Sequence, residues 1–251
     1  MNNQRIVRWA LLVAVIGLFI ALIADMRLLE AALRFFFPQE SRVLHPRASL
    51  LLLVWEHLQL VGVSSGLTLV IGLPLGIWVT RSSGRNFLPI VIDLTSFGQT
   101  FPPVAVLALA VPVLGFGLLP TVFALFLYGL LPVVRNTVAG LQTVPPHLLD
   151  AAYGMGMSRT QALFKVEIPL AARVILAGVR ISVVINIGTA MVGAAIGAGG
   201  LGSPIIAGLV QDNLAFIIEG ALPAGILAVL VDQLLAGIEG LFAYAPDKPI
   251  G

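Results

Sequence analysis

The sequence predicts an all-α integral membrane protein with about six transmembrane helices. Three observations carry that prediction. Of 251 residues, 59% are hydrophobic and only 10% are charged. The mean hydropathy is +1.04, and the apolar residues gather in long runs. Soluble domains carry roughly 25% charged residues, so this balance excludes an ordinary soluble fold. Open strand edges do not survive in lipid, and no repeated short alternation suggests a barrel, which leaves helices. The chain has no cysteine, which excludes disulfides and thiolate metal sites, and no metal ligand set is expected. A formal charge of +2, with Lys and Arg dispersed, gives no basic stripe for nucleic acid.

Taken in order, six stretches are long and apolar enough to cross a hydrocarbon layer of ~30 Å as helix. They are roughly residues 6–24, 57–80, 87–111, 118–134, 174–197 and 216–242. The first follows Arg5 and Arg8 and superficially resembles a signal peptide. Asp25, Met26 and Arg27 come next in place of a small-residue cleavage pattern, so it reads as a retained helix. The stretch 25–56 holds Glu30, Glu40, Glu56, Arg27, Arg34, Arg42 and Arg47 and reads as an amphipathic surface segment. With a cytoplasmic N-terminus, the inside segments carry Arg5, Arg8, Arg81, Arg85, Arg135, Arg159, Lys165, Arg173, Arg180 and Lys248. Only the four arginines of 25–56 then lie outside. The positive-inside rule favours that orientation, with both termini in the cytoplasm.

The inside connection 135–173 is patterned. Pro145 and Pro146 are expected to stop the preceding helix, Leu148 to Phe164 suit a short helix-turn-helix, and Pro169 restarts the chain. A structured loop on a loop-poor membrane protein reads as a docking surface. Small residues at 151, 152, 154 and 156 permit close approach, Gly156 suits a tight turn, and Asp150 is expected near a helix start.

Residues 150–169 read DAAYGMGMSRTQALFKVEIP. This segment resembles the EAA loop of binding-protein-dependent ABC importers. Asp150, Ala151 and Ala152 stand for its E-A-A and Gly156 for its glycine, with Val166 and Ile168–Pro169 closing the pattern. Asp for Glu and Ile for Leu depart from it while keeping the chemistry. Further likeness runs over about 57–242. GQTFPPVAVLALAVPVLGFG (98–117), LYGLLPVVRNTVAGL (127–141) and IGAGGLG (196–202) are similar to the osmoprotectant branch, which imports glycine betaine, choline, carnitine and related quaternary amines.

The resemblance implies a five-helix, type I importer core like that of the methionine permease, at 57–242. Residues 1–56 would be an N-terminal addition and 243–251 a cytoplasmic tail. It implies a non-catalytic permease subunit coupled through Asp150, Ala151, Ala152, Gly154, Gly156, Arg159, Ile168 and Pro169 to a separate ATPase that uses ATP and Mg. A second permease copy or paralogue and an external binding protein, docking near 112–118 and 198–214, complete the expected assembly. The chain itself has no GxxxxGK[ST] phosphate loop, so the motor is another polypeptide.

Polar groups inside a membrane are costly and face a bundle interior or a pathway. Gln99 and Thr100 precede Pro102–Pro103, where a helix must kink or break and free carbonyls. Gln99, Thr100, Pro102, Pro103, Asn186 and Thr189 are therefore expected either to line or gate a pathway or to hydrogen-bond between helices. Arg180 and Asp232 are expected to pair, and Asp93 with Arg135 similarly. A quaternary ammonium is held by aromatic faces, and no cage cluster stands out in the sequence. High-affinity recognition is therefore assigned to the binding protein.

Two motif matches lack their context. Gly62-Val63-Ser64-Ser65-Gly66 fits G-x-S-x-G within an apolar helix, without a reachable histidine, and reads instead as GxxxG for close packing. Gly197 to Gly202 fits G-x-G-x-x-G beside a membrane span and reads as a flexible external turn. Rival readings are an ion-coupled carrier, with Asp93 and Asp232 as its candidate acids, an intramembrane hydrolase, and an ABC importer for another solute such as methionine.

Overall fold

Helices begin and end here where caps and prolines allow, and the bundle follows from how small residues let those helices approach. The computed structural model describes residues 2–46 and 49–242, with side chains from Leu12 onward. Arg47, the tail 243–251 with Lys248, and the side chains of Arg5 and Arg8 therefore lie outside the described residues.

Eleven α-helices run along them: α1 Asn2–Ala24, α2 Met26–Phe36, α3 Leu50–Val79, α4 Leu88–Thr100, α5 Pro103–Leu114, α6 Leu118–Gln142, α7 Pro146–Gly154, α8 Arg159–Ala162, α9 Ile168–Gly193, α10 Gly202–Gln211 and α11 Leu214–Leu241. Four rods are long and apolar enough to cross a membrane: α3, α6, α8 running on into α9, and α11. Two bent pairs, α1/α2 at 95° and α4/α5 at 97°, bring the number to six when each counts as one span.

Four expected spans differ from the observed helices. The fifth in order, 174–197, is part of a rod that runs from Arg159 through Pro169 to Ile196, so Pro169 sits in a continuing helix and does not restart the chain. Ser49 caps α3, its hydroxyl accepting from Leu52 N at 3.3 Å, so residues 50–56 are helix rather than surface segment. The expected span 118–134 runs on to Gln142. The polar residues after it are helical too, with Asn136 and Thr137 satisfying their side chains on Pro132 O and Val133 O one turn back. The stretch 87–111 is two helices, because Pro102 and Pro103 end α4 and begin α5 at nearly a right angle.

α6 is the axis of the bundle, packing most extensively against α9 and α3. Glycines set the spacing: a side chain at Gly76 would strike Thr137, and one at Gly178 would strike Asn136 and Pro132 O. With lipid as apolar as leucine, such close approach is what holds membrane helices together. α2 is amphipathic as expected, burying Leu29 and Leu33 in a cluster with Val43, Leu50, Leu53, Leu201 and Leu227. Asp25 caps it through Arg27 N at 2.9 Å.

Candidate functional site

The connection between α6 and α9 folds into a projecting elbow. Pro145 and Pro146 initiate α7, at its cap and first position, rather than only ending α6. Asp150 thus lies in the second turn of α7, exposed, and not at a helix start where it would cap. α7 ends in a Schellman turn: Met157 N donates to Ala152 O at 3.1 Å and Gly156 N to Tyr153 O at 2.9 Å. Gly156 sits at φ +81°, the left-handed conformation that this turn places at its C′ position. Ser158 then opens α8 with a capping box completed by Gln161. Ala152 turns inward, while Asp150, Ala151, Gly154, Gly156 and Arg159 face outward beside the exposed Tyr153, Met155 and Phe164.

One ion pair at the root of the elbow has no signature in the sequence. Glu167 is 3% exposed and receives both Arg81 Nη1 and Nη2, at 2.9 and 2.7 Å. Arg81 follows the end of α3, so the fork ties the elbow to a second helix. Between them, residues 163–167 form a wide π-type turn, which carries α8 into α9 without a break. Ile168 and Pro169, at the start of α9, lie at that root rather than on the elbow's tip.

The second constellation surrounds the helix break. Phe101 and Pro102 are extended, at ψ 139° and 140°. The carbonyl freed there is taken up by α6: Tyr128 Oη donates to Phe101 O. Gln99 Nε2 donates in the opposite sense to Tyr128 O, at 2.6 Å, and Thr100 bonds back to Phe97 O. Tyr128 lies near the middle of α6, so the break falls at mid-bundle depth.

On the adjoining face of α6, Asn186 Nδ2 donates to Ser65 Oγ at 3.2 Å and Ser64 Oγ at 3.4 Å. Asn186 Oδ1 and Ser182 Oγ are buried without partners, around a spot where only Gly129 fits. Thr189 is half-buried a turn further along α9.

A profile of the family described as "Binding-protein-dependent transport system inner membrane component" matches residues 72–243. The chain belongs to that family. Its relatives include the "Osmoprotectant import permease protein OsmY" of Salmonella typhimurium, 43% identical over 190 residues, which cover 76% of this chain and 80% of that one. The "Choline transport system permease protein OpuBB" of Bacillus subtilis is 39% identical, covering 76% and 87%. The "Carnitine transport permease protein OpuCD" of Listeria monocytogenes is 38% identical, covering 74% and 82%. Among solved structures, the inward-facing MetNI methionine ABC transporter superimposes with a TM-score of 0.68 at 25% identity, over 78% of this chain and 96% of that one. The fold is thus the five-span importer permease, and the profile match begins within α3, leaving α1 and α2 outside it.

The rest of this inner membrane component is held by charges and glycines. Arg180 and Asp232 come together as a fork, at 2.6 and 2.8 Å. Glu239 extends it, 3.5 Å from Arg180 and 3.6 Å from Arg173. Asp93 and Arg135 do not meet; Arg135 donates to Ser96 at 3.2 Å, and Asp93 is exposed.

The 197–202 turn of the permease is closely packed from Gly199 onward, where a flexible one was expected. Gly197, Gly199 and Gly200 have φ of 80°, 81° and 74°. Gly200 N donates to Glu56 Oε2 at 2.8 Å, and a side chain at Gly202 would strike Met191 O.

Other expectations also change. The stretch before Ser64 does hold a histidine, His57, but it is fully buried inside α3 with Nε2 3.0 Å from Ile187 O. Among the described residues, Gly62 and Gly66 meet no other atoms within 4 Å of an added Cβ, so they form no GxxxG contact there. Among the described residues the buried carboxylates are Glu167 and Glu219, not Asp93 or Asp232. Glu219 Oε2 accepts His45 N at 2.7 Å and pins the 37–46 strap to α11, helped by Asn213, which donates to Arg42 O.

Proposed function

We propose that this permease passes quaternary-amine osmoprotectants, of the glycine betaine, choline and carnitine kind, across the inner membrane in an ATP-driven importer. The single observation that supports the reading most is the elbow: a compact, outward-facing turn of small residues rooted through Glu167 into the helix bundle. Cytoplasmic ATPase subunits grip that elbow, bind ATP and Mg, and drive the bundle between two openings. No nucleotide chemistry takes place in this chain. Two permeases, copies or paralogues, enclose one pathway, with N- and C-termini in the cytoplasm. An external binding protein delivers solute to the turns at 112–118 and 198–214. Asp150, Ala151, Ala152, Gly154, Gly156 and Arg159 form the coupling surface, with Ile168 and Pro169 at its base. Gln99, Thr100, Pro102 and Pro103 lie along the pathway, and Asn186 and Thr189 gate it from behind α6.

Gly156→Asp tests the coupling. Asp tolerates left-handed backbone better than most residues, so the turn persists while charge and bulk fill the open space beside it. The expected result is normal membrane insertion with loss of ATPase co-purification; normal co-purification sinks the docking reading. Gln99→Leu removes the bond to Tyr128 O and is expected to change uptake without changing assembly. The likeness to the methionine transporter supports a second solute class, which a competition assay between methionine and glycine betaine decides.

A further inference from the structure

Beside the helix break, folding assembles an aromatic wall from residues far apart in sequence. Phe97 and Phe101 stand on consecutive turns at the end of α4, ring centroids 4.9 Å apart and planes at 68°. Phe123 of α6 faces the same hollow, with Val113 and Leu114 of α5 and Leu127. The space measures about 430 Å³, and every side chain lining it is apolar.

Such a wall selects by chemistry. A sugar, an amino acid with a free ammonium or a hydrated metal ion would leave donors or solvation unmatched there. A trimethylammonium group has no N–H to satisfy; its methyls pack on apolar surface and its positive charge favours the negative face of aromatic rings. The end of α4 contributes Phe97, Gly98 and Phe101 to the lining, so the negative end of its dipole lies beside the hollow, the right sign for a cation. Through Phe101 the hollow also adjoins the helix break, the kind of place where broken helices meet a transported solute.

We infer that this hollow receives the trimethylammonium head of the solute during passage, with Phe97, Phe101 and Phe123 as its specificity-determining walls. The inference rests on the osmoprotectant reading and adds to it a selective step within the permease, where the sequence showed no cage and recognition was assigned to the binding protein alone.

The test uses the complete importer in proteoliposomes, with its binding protein saturated so that capture does not limit the rate. Uptake of radiolabelled glycine betaine, choline and carnitine is measured. Position 101 carries Phe, then its mono-, di- and trifluorinated analogues, which withdraw charge from the ring face with little change of shape. Uptake is expected to fall stepwise, by about tenfold at the trifluoro ring; a flat series overturns the inference. Leu at 97, 101 or 123 is expected to cost about tenfold in uptake while Tyr stays within about threefold, and Leu variants with normal uptake overturn it as well. Leu variants that lose the permease–ATPase complex, together with a flat fluorine series, assign the wall to assembly and also overturn it. An unmodified importer that carries none of the three solutes sinks the osmoprotectant reading instead. A flat series in an importer that does carry one sinks only this inference.

Discussion

At one end of the bundle Gly156 stands clear, with nothing within 4 Å of where a side chain would go. At the other, Gly199, Gly200 and Gly202 press against Glu56, His57 and the backbone of Met191. Both ends use glycines with positive φ, but Gly199 and Gly200 are crowded where Gly156, like Gly197 at the edge of the glycine turn, is not. Small residues therefore serve two ends here. At Gly199, Gly200 and Gly202 they let the chain pack on itself, and in the elbow Gly154 and Gly156 leave the space around the backbone open. The carboxylates follow the same division: buried Glu219 and half-buried Glu56 stitch the glycine-turn end shut, whereas buried Glu167 anchors the elbow only at its root.

Four substitutions can break or sharpen this contrast. The largest effect is expected at the elbow's root. Glu167→Ala leaves Arg81 unpaired and costs about 3 kcal/mol, the low end for a broken buried pair because the Arg81 side chain is 32% exposed. Denaturant unfolding of the purified permease measures the loss, and limited proteolysis should then cut the elbow first. Gly202→Ala overpacks the opposite end and is expected to cost about 2 kcal/mol, seen as a lowered Tm in detergent. Gly156→Ala meets no neighbour and bears only the left-handed backbone penalty, about 1 kcal/mol. Should it prove more destabilising than Gly202→Ala, the contrast between open and packed glycines is wrong. Ser158→Ala removes one capping hydroxyl on an exposed turn and costs about 0.5–1 kcal/mol, measured in the same unfolding series.

The sequence made legible whatever depends on local chemistry. Apolar runs marked the helices, Pro102–Pro103 marked the break, and Gly156 marked a turn whose Schellman bonds need only residues 152–157. Pairings at long range were hidden. Nothing local marks Glu167 as the partner of Arg81, or Glu219 as the acceptor for His45 N, since each bond joins segments that only the bundle brings together. Prolines suggest stops, and on that basis Asp150 is expected at a helix start; Pro146 in fact begins α7, a position where its missing N–H costs nothing. The wall of Phe97, Phe101 and Phe123 has no local signature for a related reason. Phe97 and Phe101 share the i, i+4 spacing of an ordinary apolar helix face, and Phe123 joins them only once α4 folds against α6.

The unbroken run from α8 through the wide turn into α9 has a mechanical consequence. At 1.5 Å per residue, the rod from Arg159 to Ile196 is about 57 Å long. It joins the elbow at one end to the glycine turn at the other. A tilt of only about 5° imposed at the elbow would displace the far tip by roughly 5 Å, comparable to the pitch of one helical turn. Leverage of that kind lets a small push on one side of a bilayer become a large movement on the other.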